Sequence, residues 1–410
     1  SQGAKQESLL GGNLIFQTLD DKNECVGIYT EGKLSFDDLP DGLAACWAPV
    51  PYLEDREIEY ASLYCEGKTP DQACPDSLRD DWDECNEKMK AFYRSFMLGR
   101  VNLDENCFFD LIPVRFLARY CEMRTKITKY VLETYEKPKN YDYLLQMTKL
   151  LTKISHNQLK IDLSGLNSTM HREKTRNFRE KAQNLPKYVR YNLFGTKTGR
   201  LTTKRSSFPI MTMNKEFRSV VKPTNSYFLE LDFNAAEIRT LLALAGAKQP
   251  LEDIHAWNLA QGMGEGVETR EQAKKAFFSW LYDEKKKNEK LEQIYKRSDV
   301  INDHFKDGQV TTPFGNTMPA DRHHSLSYLI QGTTAEMVLR QAIKIDEFLK
   351  GRKSFIAFTI HDSVIIDISK DETNLVPKLL GLFTDTELGL FKVNASFGDS
   401  FGDLKPLTKE

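Results

Sequence analysis

The sequence predicts an α+β protein with more than one lobe, and three observations carry that prediction. An apolar strand runs straight into a helix at residues 227–245, YFLELDFNAAEIRTLLALA. A β-hairpin reads off residues 354–368, SFIAFTIHDSVIIDI, where two apolar runs flank a short polar turn. Helical spacing of apolar residues, three and four apart, covers 109–154 and returns at 327–344. The 410 residues suggest two to four lobes, and a hydrophobic content of 40% suffices for a sizeable core.

The strand-to-helix stretch leaves one carboxylate, Asp232, at the end of the strand, followed by Phe233 and Asn234. The helix, expected to start near Ala235, then carries Glu237 and Arg239 in an otherwise apolar register. A carboxylate at the tip of a buried strand is costly unless a cation sits on it. The alternative is an Asp that caps the following helix. A second carboxylate, Asp362, stands at the tip of the distant hairpin, in a turn read as His361-Asp362-Ser363. Two such acids converging on a pair of hard cations suit in-line phosphoryl transfer. Mg²⁺ favours such a site because it needs only one or two protein carboxylates plus substrate phosphates.

Formal net charge is −2 although Lys and Arg total 57, so any basic groove must be local. No run of about 18 apolar residues suggests a membrane span. The opening SQGAKQESLLGG lacks a basic-then-apolar leader pattern, and a cytoplasmic protein is expected. All seven cysteines lie between Cys25 and Cys121, with no CxxC spacing, which reads as reduced thiols rather than a zinc site.

Taken in order, residues 13–35 alternate as two strands about a DDKN turn. Residues 36–92 are irregular and acidic and read as solvated surface, Asp55 and Glu57 included. The helical stretch 109–154, broken by EKPKN, reads as an antiparallel pair that projects from the body. The basic run 171–183, HREKTRNFREKAQ, is either a solvated helix or one laid along phosphates. Residues 191–209, YNLFGTKTGRLTTKRSSFP, offer small hydroxyls and glycines for close backbone approach to a polyanion. Arg200 within it can donate bidentately; an ordinary basic loop is the alternative.

Beyond the central helix, Asp253-Ile254-His255 precedes a Gly-rich connector, Gln261–Gly266. Arg270, Lys274, Phe278 and Tyr282 then recur every four residues and form one helical stripe of two cations and two aromatics. Such a stripe can hold a triphosphate and stack a base, or it can be the outer face of an amphipathic helix. Residues 283–297 read as a charged solvated helix and 307–319 as a loop or hairpin. Ser327–Lys344 reads as a helix with Gln331 at its entrance, where an amide can read a groove edge.

These pieces, in this order, resemble the family A DNA polymerases, the DNA polymerase I type, and most of all their phage-borne members. Asp232 to Arg239, DFNAAEIR, is similar to the family's DYSQIELR. Arg270, Lys274, Phe278 and Tyr282 match R-x3-K-x3-F-x3-Y, and His361-Asp362 matches the start of HDE. TGRL at 198–201, DIH at 253–255 and QGT at 331–333 complete the set, so the resemblance spans about 191–403.

The resemblance implies a right hand, with a mixed or antiparallel palm sheet and helical fingers and thumb. The implied layout is an N-terminal lobe at 1–100, either a degenerate exonuclease remnant or an accessory domain, a thumb at 101–190, palm at 191–250, fingers at 251–310 and palm again at 311–410. Asp232 and Asp362, with the Phe233 carbonyl, would hold two Mg²⁺, for which Mn²⁺ can substitute. Arg270, Lys274 and His255 would bind the nucleotide phosphates, Lys274 also serving catalysis. Phe278 would stack near the sugar and base, and Tyr282 at the templating position. Glu237 would exclude a ribose 2′-OH, and Thr198, Arg200, Gln331 and His361 would touch DNA. The partners implied are primer–template DNA, dNTPs and replication accessory proteins; a monomer is expected, in a bacterial host cell if phage-encoded.

Departures from the pattern are explicit. Ser363 replaces the Glu of HDE, a form seen in single-subunit RNA polymerases, whereas the acid Glu237 argues against that relative. Ala235 replaces the usual Gln, and Asp283 follows Tyr282 where Gly is usual. In the N-terminal lobe, Phe16-Gln17-Thr18-Leu19 stands where an exonuclease strand would read FDTE, with both acids missing. No 3′–5′ exonuclease is therefore expected. The competing readings are an RNA polymerase or primase-like relative and a non-catalytic duplex-binding protein.

Overall fold

A computed structural model describes residues 14–20, 25–36, 39–103, 105–264, 266–283 and 285–407. The chain divides between His156 and Asn157 into two compact units.

The first unit is built on a five-stranded sheet. Its strands are β1 (Leu14–Thr18), β2 (Ile28–Thr30), β3 (Lys33–Ser35), β4 (Leu43–Cys46) and β5 (Glu59–Tyr60), in the order β3-β2-β1-β4-β5. β1 runs parallel to β4, and β4 to β5, whereas β2 is antiparallel to both β1 and β3. The expected hairpin is β1–β2, with Phe16 opposite Thr30; residues 21–23 of its turn lie outside the described residues.

Three long helices complete this unit: α1 (Arg79–Leu98), α2 (Val114–Thr134) and α3 (Tyr141–His156). The acidic run at 80–84 lies on α1 rather than in an irregular segment, and its acids are exposed as expected. Trp82 and Cys85, three apart on one helix face, are buried against Met123, Ile127 and Val131 of α2. Nor does α2 project. Gln17 of β1 donates through Nε2 to Thr128 Oγ1 at 3.0 Å, and Leu117 and Cys121 pack with Leu19 and Tyr29. Helices expected to stand apart thus bury an apolar face within the N-terminal unit. Among the described residues the cysteines form no disulfide, and five of them are buried.

The first α-helix of the second unit is the basic α4 (Glu173–Asn184). Its centre is β6 (Tyr227–Phe233), which leads into α5 (Ala236–Leu244). There follow α6 (Ile254–Ala260), α7 (Arg270–Tyr282) and the 28-residue α8 (Arg322–Leu349). The hairpin β7 (Phe355–Ile360) and β8 (Ser363–Ile368), then α9 (Val376–Thr384), β9 (Val393–Gly398) and β10 (Lys405–Pro406), complete the unit. The sheet order is β7-β8-β6-β9-β10, and every pairing is antiparallel, with no parallel strand of the kind a mixed sheet would hold.

Alternation along β6 sorts its side chains. Leu229, Leu231 and Phe233 are buried, and Phe233 stacks on Phe383 of α9 with ring centroids 4.4 Å apart. Glu230 and Asp232 point to the other face and are half-buried. Two helical expectations are corrected. Residues 283–297 are not one solvated helix: one short helix covers Glu289–Tyr295 and a second starts at Arg297, Tyr295 is buried and donates to Asn258 Oδ1 at 2.8 Å, and Arg297 is buried on the Trp280 carbonyl. Gln331 stands mid-helix, because the apolar face of α8 starts earlier, at Ser325, Leu326 and Leu329, behind the N-cap Asp321. Among the described residues no helix is long and apolar enough to cross a membrane.

Candidate active site

Sheet register brings the two acids together. Asp232 lies directly across from Ser363 of β8, and Ser363 follows Asp362 in the chain. The hairpin connection is only His361-Asp362, since Ser363 already belongs to β8. His361 turns the chain with φ +50°, in the left-handed region that ordinary residues adopt at a cost of about 1 kcal/mol. On its other side Asp232 faces Asn394 of β9, whose side chain hydrogen-bonds it. The helix-cap alternative for Asp232 does not hold. β6 extends through Phe233, and the α5 N-cap is Ala235, in left-handed conformation with no side-chain cap bond.

Both acids lack adequate cationic compensation from the protein. Burial pushes the Asp232 carboxyl up to about 6, opposed by Asn394 and reinforced by the charges of Glu230 and Asp362. Burial also raises Asp362, opposed by Arg200, whose Nη2 lies 3.9 Å from Asp362 Oδ1. Among the described residues no three of His, Cys, Asp and Glu gather tightly enough to hold an ion as a set. Two charge-deficient oxygen donors without a full protein cage fit a hard divalent cation completed by substrate oxygens. Phe233 ends β6 with its ring anchored on the buried face, which fixes where its carbonyl leaves the strand.

A line of contacts runs from the acids along α7. Arg200 Nη2 donates to Glu237 Oε1 at 2.7 Å, and Tyr282 OH donates to Glu237 Oε2 at 3.2 Å. Tyr282 stacks parallel to Phe278, with centroids 6.2 Å apart, and Phe278 lies against His255, again at 6.2 Å. Ala273, Phe277, Trp280 and Leu281 face the core; of the stripe, Arg270, Lys274 and Tyr282 are exposed, whereas Phe278 is half-buried against the edge of that core. Burial holds His255 below the usual imidazole range; Asp253 opposes this, and Arg270 and Lys274 add to it. Its Nδ1 is buried without a partner, as expected of a group that awaits a ligand. Arg270 is engaged by Asp253, and Lys274 is exposed.

The supports are specific. Arg239, fully buried, donates to the carbonyls of Asn234, Pro250 and Glu252, tying the β6–α5 junction to the start of α6. Tyr191 donates to the Thr359 carbonyl and accepts from the Thr359 amide at 3.0 Å, which fastens the 191–203 segment to β7. Thr198 is buried beside Gly332: a Cβ on that glycine would stand 3.5 Å from the Thr198 carbonyl and 2.8 Å from Met318 Cε. Gln331, next to Gly332, donates to Ser327 Oγ at 3.1 Å, and His361 is exposed on the hairpin turn. Gln331 thus sits next to a glycine that packs on the loop carrying Thr198 and Arg200. Sequence reasoning missed Asn394 and Glu230, because a cross-strand neighbour is announced only by register.

No protein-family profile matches the chain, and no curated protein matches it in sequence. Among solved structures it is similar to the POL domain of Pol1 from M. smegmatis, solved in complex with a DNA primer-template and dNTP. The TM-score is 0.63 at 12% sequence identity, over 98% of this chain and 97% of that one. At that identity the likeness shows a shared fold, and it carries no indication of a phage origin.

Proposed function

We propose that the chain is a template-directed DNA polymerase that adds dNMPs to a primer 3′-OH. The observation that supports it most is the register that puts Asp232 across from Ser363 and so beside Asp362, at one end of the Glu237–Tyr282–Phe278–His255 line. The shared fold with a domain solved on primer-template and dNTP supports the same reading.

In this reading the antiparallel sheet is the palm, the helices from Ile254 to His304 are fingers, and helices before Tyr191 form the thumb. Asp232, Asp362 and the Phe233 carbonyl would hold two Mg²⁺, with Mn²⁺ as substitute. The ions would supply activation of the 3′-OH and neutralisation of the departing pyrophosphate. Arg270, Lys274 and His255 receive the triphosphate, and Lys274 serves the leaving group. Phe278 packs on the sugar and base, and Tyr282 marks the templating position. Glu237, held by both Arg200 and Tyr282, fills the space a ribose 2′-OH would need. Arg200, Thr198, Gln331 and His361 meet the primer–template end, where phosphate contacts make affinity fall steeply with salt.

The part of the N-terminal unit before about residue 100, which carries the β1 sheet, is a degenerate exonuclease lobe, with an unrelated accessory domain as the alternative. Gln17 is fully buried on Thr128, and Leu19 is packed in an apolar cluster, at the two positions where metal-binding acids would stand. The protein acts as a cytoplasmic monomer, with replication accessory proteins as partners. Primer extension tests the reading: wild type should extend a primer with Mg²⁺ and dNTPs, and Asp232→Ala and Asp362→Ala should not. Efficient rNTP use would favour an RNA polymerase relative, and salt-sensitive duplex binding without extension would favour a non-catalytic one.

A further inference from the structure

Glu230 is a carboxylate beside the acid pair that none of the roles above uses. Strand alternation puts it on the same face as Asp232, two residues on. Ser363 Oγ lies 3.2 Å from Glu230 Oε1 and 3.0 Å from the Ile360 carbonyl, within donating reach of both. Ser363 is also the residue across from Asp232 and next to Asp362. Glu230 is therefore tied through one hydroxyl to the turn that bears one acid, and shares a strand face with the other. The charge of Glu230 also acts on the Asp232 carboxyl, ahead of that of Asp362.

Position 363 is where the HDE pattern has its Glu. Here a hydroxyl stands at that position, and a carboxylate reaches it from the neighbouring strand. With no three acids gathered as a common ligand set among the described residues, Glu230 acts as a positioning residue rather than a further ligand. We propose that Glu230 supplies, from the central strand, the negative charge that a Glu at 363 would supply, and so strengthens divalent-cation binding at Asp232 and Asp362. This rests on the polymerase reading, which places cations there.

The test is Mn²⁺ titration of the full chain without DNA or nucleotide, followed by electron paramagnetic resonance. Glu230→Gln keeps an acceptor for Ser363 and removes only the charge. It should weaken Mn²⁺ binding about five- to twentyfold, as loss of one half-exposed charge close to the ions would. Adding Ser363→Glu to Glu230→Gln should restore most of that affinity. Wild-type affinity in Glu230→Gln overturns the proposal, and so does a folded double variant that binds no better than the single one. Asp232→Asn and primer extension by wild type separate the two claims. If Asp232→Asn leaves Mn²⁺ binding intact and wild type does not extend, the polymerase reading fails. If both controls behave as that reading expects and Glu230→Gln is silent, only the role of Glu230 fails.

Discussion

Arg270 and Asp253 form a two-pronged ion pair, with Arg270 Nε 3.0 Å from Asp253 Oδ1 and Nη2 2.9 Å from Oδ2. The same carboxylate caps α6 by accepting from the His255 and Ala256 amides. Arg270 holds Asp253 down to about 2, so the pair is ionised at every working pH. A triphosphate must displace this carboxylate to use Arg270. Asp253→Asn keeps an N-cap acceptor and removes the competing charge. Exposed pairs contribute about 0.2–1 kcal/mol, so KM for dNTP should fall two- to fivefold in single-nucleotide incorporation. A KM that rises instead would mean that Asp253 orients Arg270 rather than detaining it.

Glu237 is held from two sides, by Arg200 and by Tyr282. Glu237→Ala opens the space in front of Tyr282 and releases Arg200 towards Asp362. The ratio of kcat/KM for rNTP over dNTP should rise by about ten- to hundredfold. An unchanged ratio would remove Glu237 from sugar selection and revive the RNA polymerase alternative.

Asp232 holds its proton more tightly in the folded chain, at about 6 against an ordinary 3.8. A raised carboxyl favours folding below about pH 4, and that contribution is lost as pH climbs through 6. The cation-free protein therefore carries a destabilising charge at neutral pH. Asp232→Asn should raise Tm by about 2–4 °C at pH 7.5 and leave it unchanged at pH 4, partial exposure limiting the gain to about 1–2 kcal/mol. Mg²⁺ should narrow the difference at pH 7.5 by stabilising wild type alone. Equal Tm shifts at both pH values would contradict the raised carboxyl.

The N-terminal sheet should be silent towards DNA ends. A 3′-labelled primer incubated with Mg²⁺ and no dNTP should stay intact. Adding acids back by Gln17→Asp with Leu19→Glu should not create a nuclease. Leu19 is fully buried among Tyr29, Ile112, Leu117 and Cys121, so a carboxylate there should cost about 2–5 kcal/mol in thermal or urea unfolding. Shortening of the primer by wild type would refute the degenerate reading outright.

What the sequence made legible was local. The strand into α5, the β7–β8 hairpin and the α7 stripe each carry their own periodicity, so Asp232, Asp362 and the Arg270–Tyr282 series could be named with their elements. What lay hidden depended on partners remote in the chain. Asn394 and Glu230 acquire meaning only from the register of β6 against β9 and β8. The Arg270–Asp253 pair looks like two unrelated motif residues until α6 and α7 pack. Trp82 sat unnoticed in an acidic run, because only helical geometry turns it and Cys85 to one side. Ala235, which takes the N-cap position of α5 with a left-handed backbone while Asp232 stays in the strand, gave no sign of it in its residue type.

The pairing of Asp232 with Ser363 makes the count of residues in β6 a conserved quantity in the mechanical sense. A single insertion or deletion between Tyr227 and Asp232 would rotate the acid into the oily side and bring a leucine out in its place. Changes of size in this protein must therefore be absorbed in its connecting loops, and the seven-residue strand works as a ruler whose length is part of the chemistry.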